Sequence, residues 1–106
     1  MLNKNSKIFL AGHNGMVGSA IHKKLIEKDY KNVITRNRSD LDLFNQKKTH
    51  NFLRKIKPDL VIIAAAKTGG INANSQFKHD FLYQNLQIQN NLIYGSFLSG
   101  IKNLIF

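Results

Sequence analysis

A chain of 106 residues, 42% of them hydrophobic, has room for one core and reads as a single globular domain. No apolar run reaches the length of a membrane span, the first residues lack the apolar centre of a signal peptide, and there is no cysteine. Disulfides, thiolate metal sites and a cysteine nucleophile are thereby excluded, and a cytoplasmic protein with no membrane partner is expected.

The four histidines, His13, His22, His50 and His79, are scattered, with no H-x-x-x-H pair and no carboxylate cluster beside them, so no metal site is expected. A net charge of +10 invites a nucleic-acid reading. The basic residues are spread along the chain, however, and Lys23, Lys24, Lys28, Lys47, Lys48, Arg54 and Lys55 fall mainly on the polar faces of predicted helices. A solvated basic surface is the simpler reading, and no nucleic-acid partner is expected.

Residues 7–11 read as a first strand, short and almost wholly apolar, as suits a parallel strand covered on both faces. Gly12, His13, Asn14, Gly15, Met16, Val17 and Gly18 follow in a G-x-x-G-x-x-G spacing between that strand and a segment of helical period. Glycines let the backbone turn sharply and let a pyrophosphate approach, while the helix behind offers unpaired N–H groups and the positive end of its dipole. The pattern also suits an ordinary tight turn with a close helix-strand crossing. The first helix is predicted over 16–28, with Val17, Ala20, Ile21 and Leu25 on its apolar stripe.

A short β-branched run at 33–35 gives the second strand and closes a βαβ unit. In this architecture the residues just beyond it choose the cofactor: a carboxylate accepts from the ribose hydroxyls of NAD, and arginine pairs with the 2′-phosphate of NADP. Here Arg36 and Arg38 stand with no carboxylate between them, which favours NADP over a solvated loop. Asp42 and Asn45 look like caps for a second helix over 45–57, with Phe52, Leu53 and Ile56 apolar and Pro58 as its stop.

Residues 60–66 form the most hydrophobic run and predict a central parallel strand, whose end in Ala64, Ala65 and Ala66 leaves room for a ligand. Residues 67–75 have no regular period and lie at the carboxyl end of that strand, where open α/β sheets bind ligands. A long helix over 80–99 carries apolar residues on more than one face, among them Phe81, Leu82, Leu86, Ile88, Leu92, Ile93, Tyr94, Phe97 and Leu98, so it packs inside a larger domain or on a partner helix. Gly100 stands where a C′ glycine would, and 103–106 begin a fourth strand. The order βαβαβαβ predicts an α/β fold, the first half of a doubly wound parallel sheet of Rossmann-like type.

Three strings add a more specific likeness. Residues 11–21 (AGHNGMVGSAI), 64–71 (AAAKTGGI) and 80–85 (DFLYQN) closely resemble GDP-L-fucose synthases, the GDP-4-keto-6-deoxy-D-mannose epimerase/reductases of the extended short-chain dehydrogenase/reductase family, and the likeness covers 7–106. The resemblance implies an NADP-dependent enzyme that epimerises a GDP-bound 4-keto-6-deoxy sugar and reduces it by hydride transfer to GDP-L-fucose. It implies that Gly12 to Gly18 cradle the pyrophosphate and that Arg38 meets the 2′-phosphate. It further implies that Ser39, Asp40, Leu41, Asp42 and Leu43 border the adenine, that Ala64 to Ala66 line the cofactor further along, and that the long helix takes part in a homodimer.

Asn14 departs from the family, which often has arginine there, and shifts weight to Arg36 and Arg38. The family's catalytic serine, its epimerisation cysteine and its Tyr-x-x-x-Lys pair would follow the fourth strand. Tyr83 and Tyr94 have Gln87 and Leu98 four positions on, so neither supplies that pair. The chain is therefore expected to be an N-terminal part of such an enzyme, or a truncated product, without catalytic residues of its own. Alternatives left open are another nucleotide-sugar epimerase or dehydratase and a non-catalytic Rossmann-like interaction module. A nucleic-acid module would need an aromatic platform or a recognition helix, and neither is seen.

Overall fold

A computed structural model describes residues 2–65 and 75–106, with side chains throughout except at 75–79 and 81. The elements run β1 (Ile8–Ala11), α1 (Met16–Glu27), β2 (Val33–Ile34), α2 (Gln46–Ile56), β3 (Leu60–Ile63), α3 (Ser75–Leu98) and β4 (Leu104–Ile105). All pairings are parallel and the sheet order is β2-β1-β3-β4, the Rossmann-like arrangement expected.

The unbroken apolarity of β1 and β3 has its cause in this placement, since both strands are interior and every residue of each is buried. Successive side chains of a strand point to opposite faces. Phe9, Ala11, Val61 and Ile63 therefore join Leu53 of α2, Ile88 and Leu92 of α3, and Ile101 in one cluster. Ile8, Leu10, Leu60 and Ile62 form the other, against Ile21 and Leu25 of α1.

The helices differ from expectation in two places. Val17 and Ala20 of α1 are exposed, and the face that meets the sheet runs through Gly18, Ile21 and Leu25. Gly18 sets that rotation, because it is the only buried residue of the helix and lets the backbone close on the turn before it. The third helix starts at Ser75, five residues ahead of the predicted start, in a stretch with neither glycine nor proline to interrupt it. Most of the predicted 67–75 loop, together with Ala66, lies outside the described residues, as does the side chain of Phe81.

The caps follow local chemistry. Asn45 accepts from the Lys48 N–H at 2.9 Å and opens α2, and Asp42 Oδ1 accepts from the Phe44 N–H at 3.0 Å just before it. At the end of α3, Gly100 takes φ +75, and the amides of Gly100 and Ile101 return to the carbonyls of Phe97 and Ser96. That is a Schellman closure, with Ile101 tucked into the core. Part of α3 stays bare: Leu82, Leu86, Phe97 and Leu98 are all exposed.

Candidate functional site

The site is built at the carboxyl ends of the two central strands. Past Ile63 the chain continues beside β1, with the Ala64 N–H donating to the Ala11 carbonyl at 2.9 Å. Gly12 then turns away with φ +90, and a Cβ there would lie 2.5 Å from the Ala65 backbone. The Gly15 N–H donates to the Gly12 carbonyl at 3.2 Å and closes the turn. At Gly18 a Cβ would fall 1.8 Å from the Gly12 oxygen, so that glycine is what lets α1 sit directly on the turn.

Gly15 differs from both. It is the N-cap of α1 at φ −77, ψ 173, and the nearest atom to a Cβ there would be the Gly12 oxygen at 3.7 Å. Neither backbone angle nor packing requires a glycine at that position, which instead keeps one wall of the cleft free of a side chain. Behind it the amides of Met16, Val17 and Gly18 open the helix with no intrahelical acceptor, as in any first turn.

The facing wall is the segment between β2 and α2. The Asn37 carbonyl accepts from the amides of Asp40 and Leu41, both at 2.9 Å, which folds the segment back so that Leu41 is buried. Arg36 donates to the Thr35 carbonyl at 2.8 Å and lies over the Phe52 ring at 5.3 Å, a cation–π arrangement that holds it to the body of the domain. Arg38 has no hydrogen-bond or ion-pair partner among the described residues, so its guanidinium fork is free. The Asn14 amide reaches the Asn37 side-chain oxygen at 3.4 Å and links the two walls. His13 packs edge-on against His22 of α1, ring centres 6.0 Å apart.

Together these walls enclose an open cleft of about 190 Å³. Of the residues singled out in the sequence, the glycine turn contributes Gly12, His13, Asn14 and Gly15, the opposite segment Arg36, Arg38, Leu41, Asp42 and Leu43, and the strand end Ala64 and Ala65. Met16, 91% exposed, and Val17 stand at the start of α1 outside the lining, Gly18 is buried beneath the turn, and Ser39 and Asp40 are exposed beyond the rim. Ile88 of α3 also lines the cleft and was missed in the sequence, where it counted only as one apolar residue of a long helix.

A glycine turn between a parallel strand and a helix is the layout that dinucleotide-binding folds share, and an arginine beyond the next strand is the variant suited to a 2′-phosphate. Residues 8–106 match the NAD dependent epimerase/dehydratase family. The chain belongs to that family.

Within the NAD dependent epimerase/dehydratase family the chain is similar to enzymes named GDP-L-fucose synthase. It is 51% identical over 100 residues to the one from Sinorhizobium fredii (strain NBRC 101917 / NGR234), covering 94% of this chain and 32% of that protein. It is 46% identical over 106 residues to GDP-L-fucose synthase 1 of Arabidopsis thaliana, covering 100% of this chain and 33% of that protein. The likeness read from the three sequence strings thus extends over the whole chain, which spans about a third of the length of these curated relatives. Among solved structures it resembles MlghC, a GDP-mannoheptose C4 reductase from Campylobacter jejuni with NADP bound, at a TM-score of 0.91 and 39% identity, covering 98% of this chain and 33% of that one.

Proposed function

We propose that residues 1–106 are the N-terminal part of the NADP(H)-binding Rossmann domain of a GDP-L-fucose synthase, an enzyme that epimerises and reduces GDP-4-keto-6-deoxy-D-mannose to GDP-L-fucose. The observation that carries the cofactor part of this reading is the pairing of an unobstructed Gly15 with the Arg38 fork, unpaired among the described residues, across one cleft, and the likeness to GDP-L-fucose synthases supports the rest. Pyrophosphate would lie over the turn from Gly12 to Gly18, taking hydrogen bonds from the first amides of α1, those of Met16 and Val17 included. Arg38 would take the 2′-phosphate in bidentate fashion. Arg36, already held by Thr35 and Phe52, would supply a flat wall and a second positive charge. Leu41, Asp42 and Leu43 would border the adenine, with Ser39 and Asp40 at the rim, and Ala64 to Ala66 would lie along the rest of the cofactor.

Bound NADPH supplies a hydride. These residues would hold it in place, and the serine, cysteine and Tyr-x-x-x-Lys groups that the family uses on the sugar are not among these 106 residues. The polypeptide of 106 residues is therefore expected to bind cofactor without turning over sugar. The intact enzyme would be a cytoplasmic homodimer, its contact made through the bare part of α3.

Calorimetric titration of NADPH, NADH and adenosine 2′,5′-bisphosphate into the intact protein tests the reading. NADPH and the bisphosphate should bind and NADH should bind more weakly; equal affinity for NADH and NADPH would contradict it. The likeness to MlghC favours a second reading, in which the same domain serves a reductase of another GDP-4-keto sugar. Turnover of GDP-4-keto-6-deoxy-D-mannose to GDP-L-fucose, which needs epimerisation as well as reduction, would decide against it.

A further inference from the structure

The wall formed by residues 41–45 has no regular secondary structure, yet two of its carbonyls are satisfied by a single buried side chain from the middle of α3. Asn91 is 2% exposed. Its Nδ2 donates to the Leu43 carbonyl at 2.9 Å and to the Phe44 carbonyl at 3.0 Å, and its Oδ1 accepts from Gln87 Nε2 at 3.0 Å. The amide orientation is dictated by its partners, because two carbonyls can only accept. Thr49, fully buried on α2, adds its hydroxyl to the same Leu43 carbonyl at 3.3 Å. The Phe44 ring meets the Tyr83 ring edge-on, centres 5.8 Å apart, as a further tie to α3. One helical turn before Asn91, Ile88 reaches the cleft itself.

We infer that Asn91 is a positioning residue of the cleft: it clamps the 41–45 segment to α3 and so sets where Leu41, Asp42 and Leu43 stand. The inference rests on the cofactor reading above and deepens it, since this is the wall assigned there to the adenine. Without the clamp, the Phe44 carbonyl would have to find water and the Leu43 carbonyl would keep only the long bond from Thr49, and the segment would have to lift away from α3 to be solvated. The glycine turn, on the other wall, shares no hydrogen bond with Asn91 and would stay as it is.

The test compares the intact protein with Asn91→Leu, which keeps the bulk and loses the donors, and with Thr49→Val, which removes only the second bond to Leu43. Calorimetry with adenosine 2′,5′-bisphosphate reads the adenine end, and reduced nicotinamide mononucleotide reads the other end. Asn91→Leu should weaken the bisphosphate at least tenfold and NADPH by the same factor, leaving the mononucleotide unchanged. Thr49→Val should give a smaller loss confined to the same end, and it carries the test if Asn91→Leu does not fold. Equal loss of both fragments would show a general structural role and overturn the inference, as would unchanged bisphosphate binding in both variants. If the unsubstituted protein binds neither NADPH nor the bisphosphate, the cofactor reading itself has failed.

Discussion

A Cβ at Gly15 would have 3.7 Å to its nearest neighbour, whereas one at Gly12 would meet backbone at 2.5 Å and one at Gly18 at 1.8 Å. The three glycines of one motif therefore separate experimentally. Gly15→Val should leave the fold intact and abolish measurable NADPH binding, because the branched side chain would occupy the phosphate's approach; unchanged titration would remove that ligand from the turn. Gly12→Ala and Gly18→Ala should instead lower the thermal midpoint or prevent soluble expression, since backbone cannot move aside as a flexible side chain can. The arginines separate in the same way. A charge-assisted contact contributes about 1.5 to 3 kcal/mol, so Arg38→Ala should weaken NADPH on the order of tenfold to a hundredfold and leave NADH nearly unchanged. Arg36→Ala, whose guanidinium is engaged by Thr35 and Phe52, should cost less affinity and some stability. An equal loss of both cofactors on Arg38→Ala would mean that the residue shapes the loop and does not read the phosphate.

Among the elements, α2 was the most legible from sequence, because its ends are written in side chains: Asn45 caps it, and Pro58 follows its left-handed Lys57 C-cap. Asn45→Ala should lower stability by about 1 kcal/mol in denaturant unfolding without touching cofactor affinity. β1 and β3 were equally plain, since continuous apolarity in so short a run has few other causes. The packing face of α1 was not, because hydrophobic period counts side chains and Gly18 contributes by having none. The start of α3 was obscured by the same kind of silence, with no residue between Ser75 and Asp80 that marks a boundary. At the site, the glycine turn and Arg38 announced themselves by chemistry. Ile88 and Asn91 did not, since each matters through a segment nearly half the chain away. The two-sided apolarity of α3 was visible, and part of it is indeed exposed, Phe97 at 74%. If a second copy covers it, Leu86→Glu with Ile93→Glu should turn the intact protein from dimer to folded monomer in sedimentation. A dimer of unchanged stability would leave that surface without such a role.

For the molecule as a whole, Leu82, Leu86, Phe97 and Leu98 are among the described side chains of α3 that stand largely in water, and leaving one such group exposed forfeits roughly 1.5 to 3 kcal/mol against burying it. That is comparable with the net stability of a small domain. The 106-residue polypeptide produced by itself should therefore self-associate, bind NADPH weakly and show no turnover of GDP-4-keto-6-deoxy sugars. A sharply unfolding monomer, or one with reductase activity, would contradict this. The sheet order carries a separate consequence, for time and not for energy. β1 is synthesised first but is flanked by β2 and by β3, so the rung from the Ala64 amide to the Ala11 carbonyl joins residues half the chain apart. A contact of such long range costs loop-closure entropy before it returns any stabilisation, and we expect it to close late in folding. The floor of the cleft is thus among the last features to exist, and a nascent or refolding chain should acquire affinity for cofactor only when it acquires its final sheet. Ligand fluorescence during refolding would then report pairing of β1 with β3, and the Ala64 amide should be among those whose hydrogen exchange slows most when the cleft is filled.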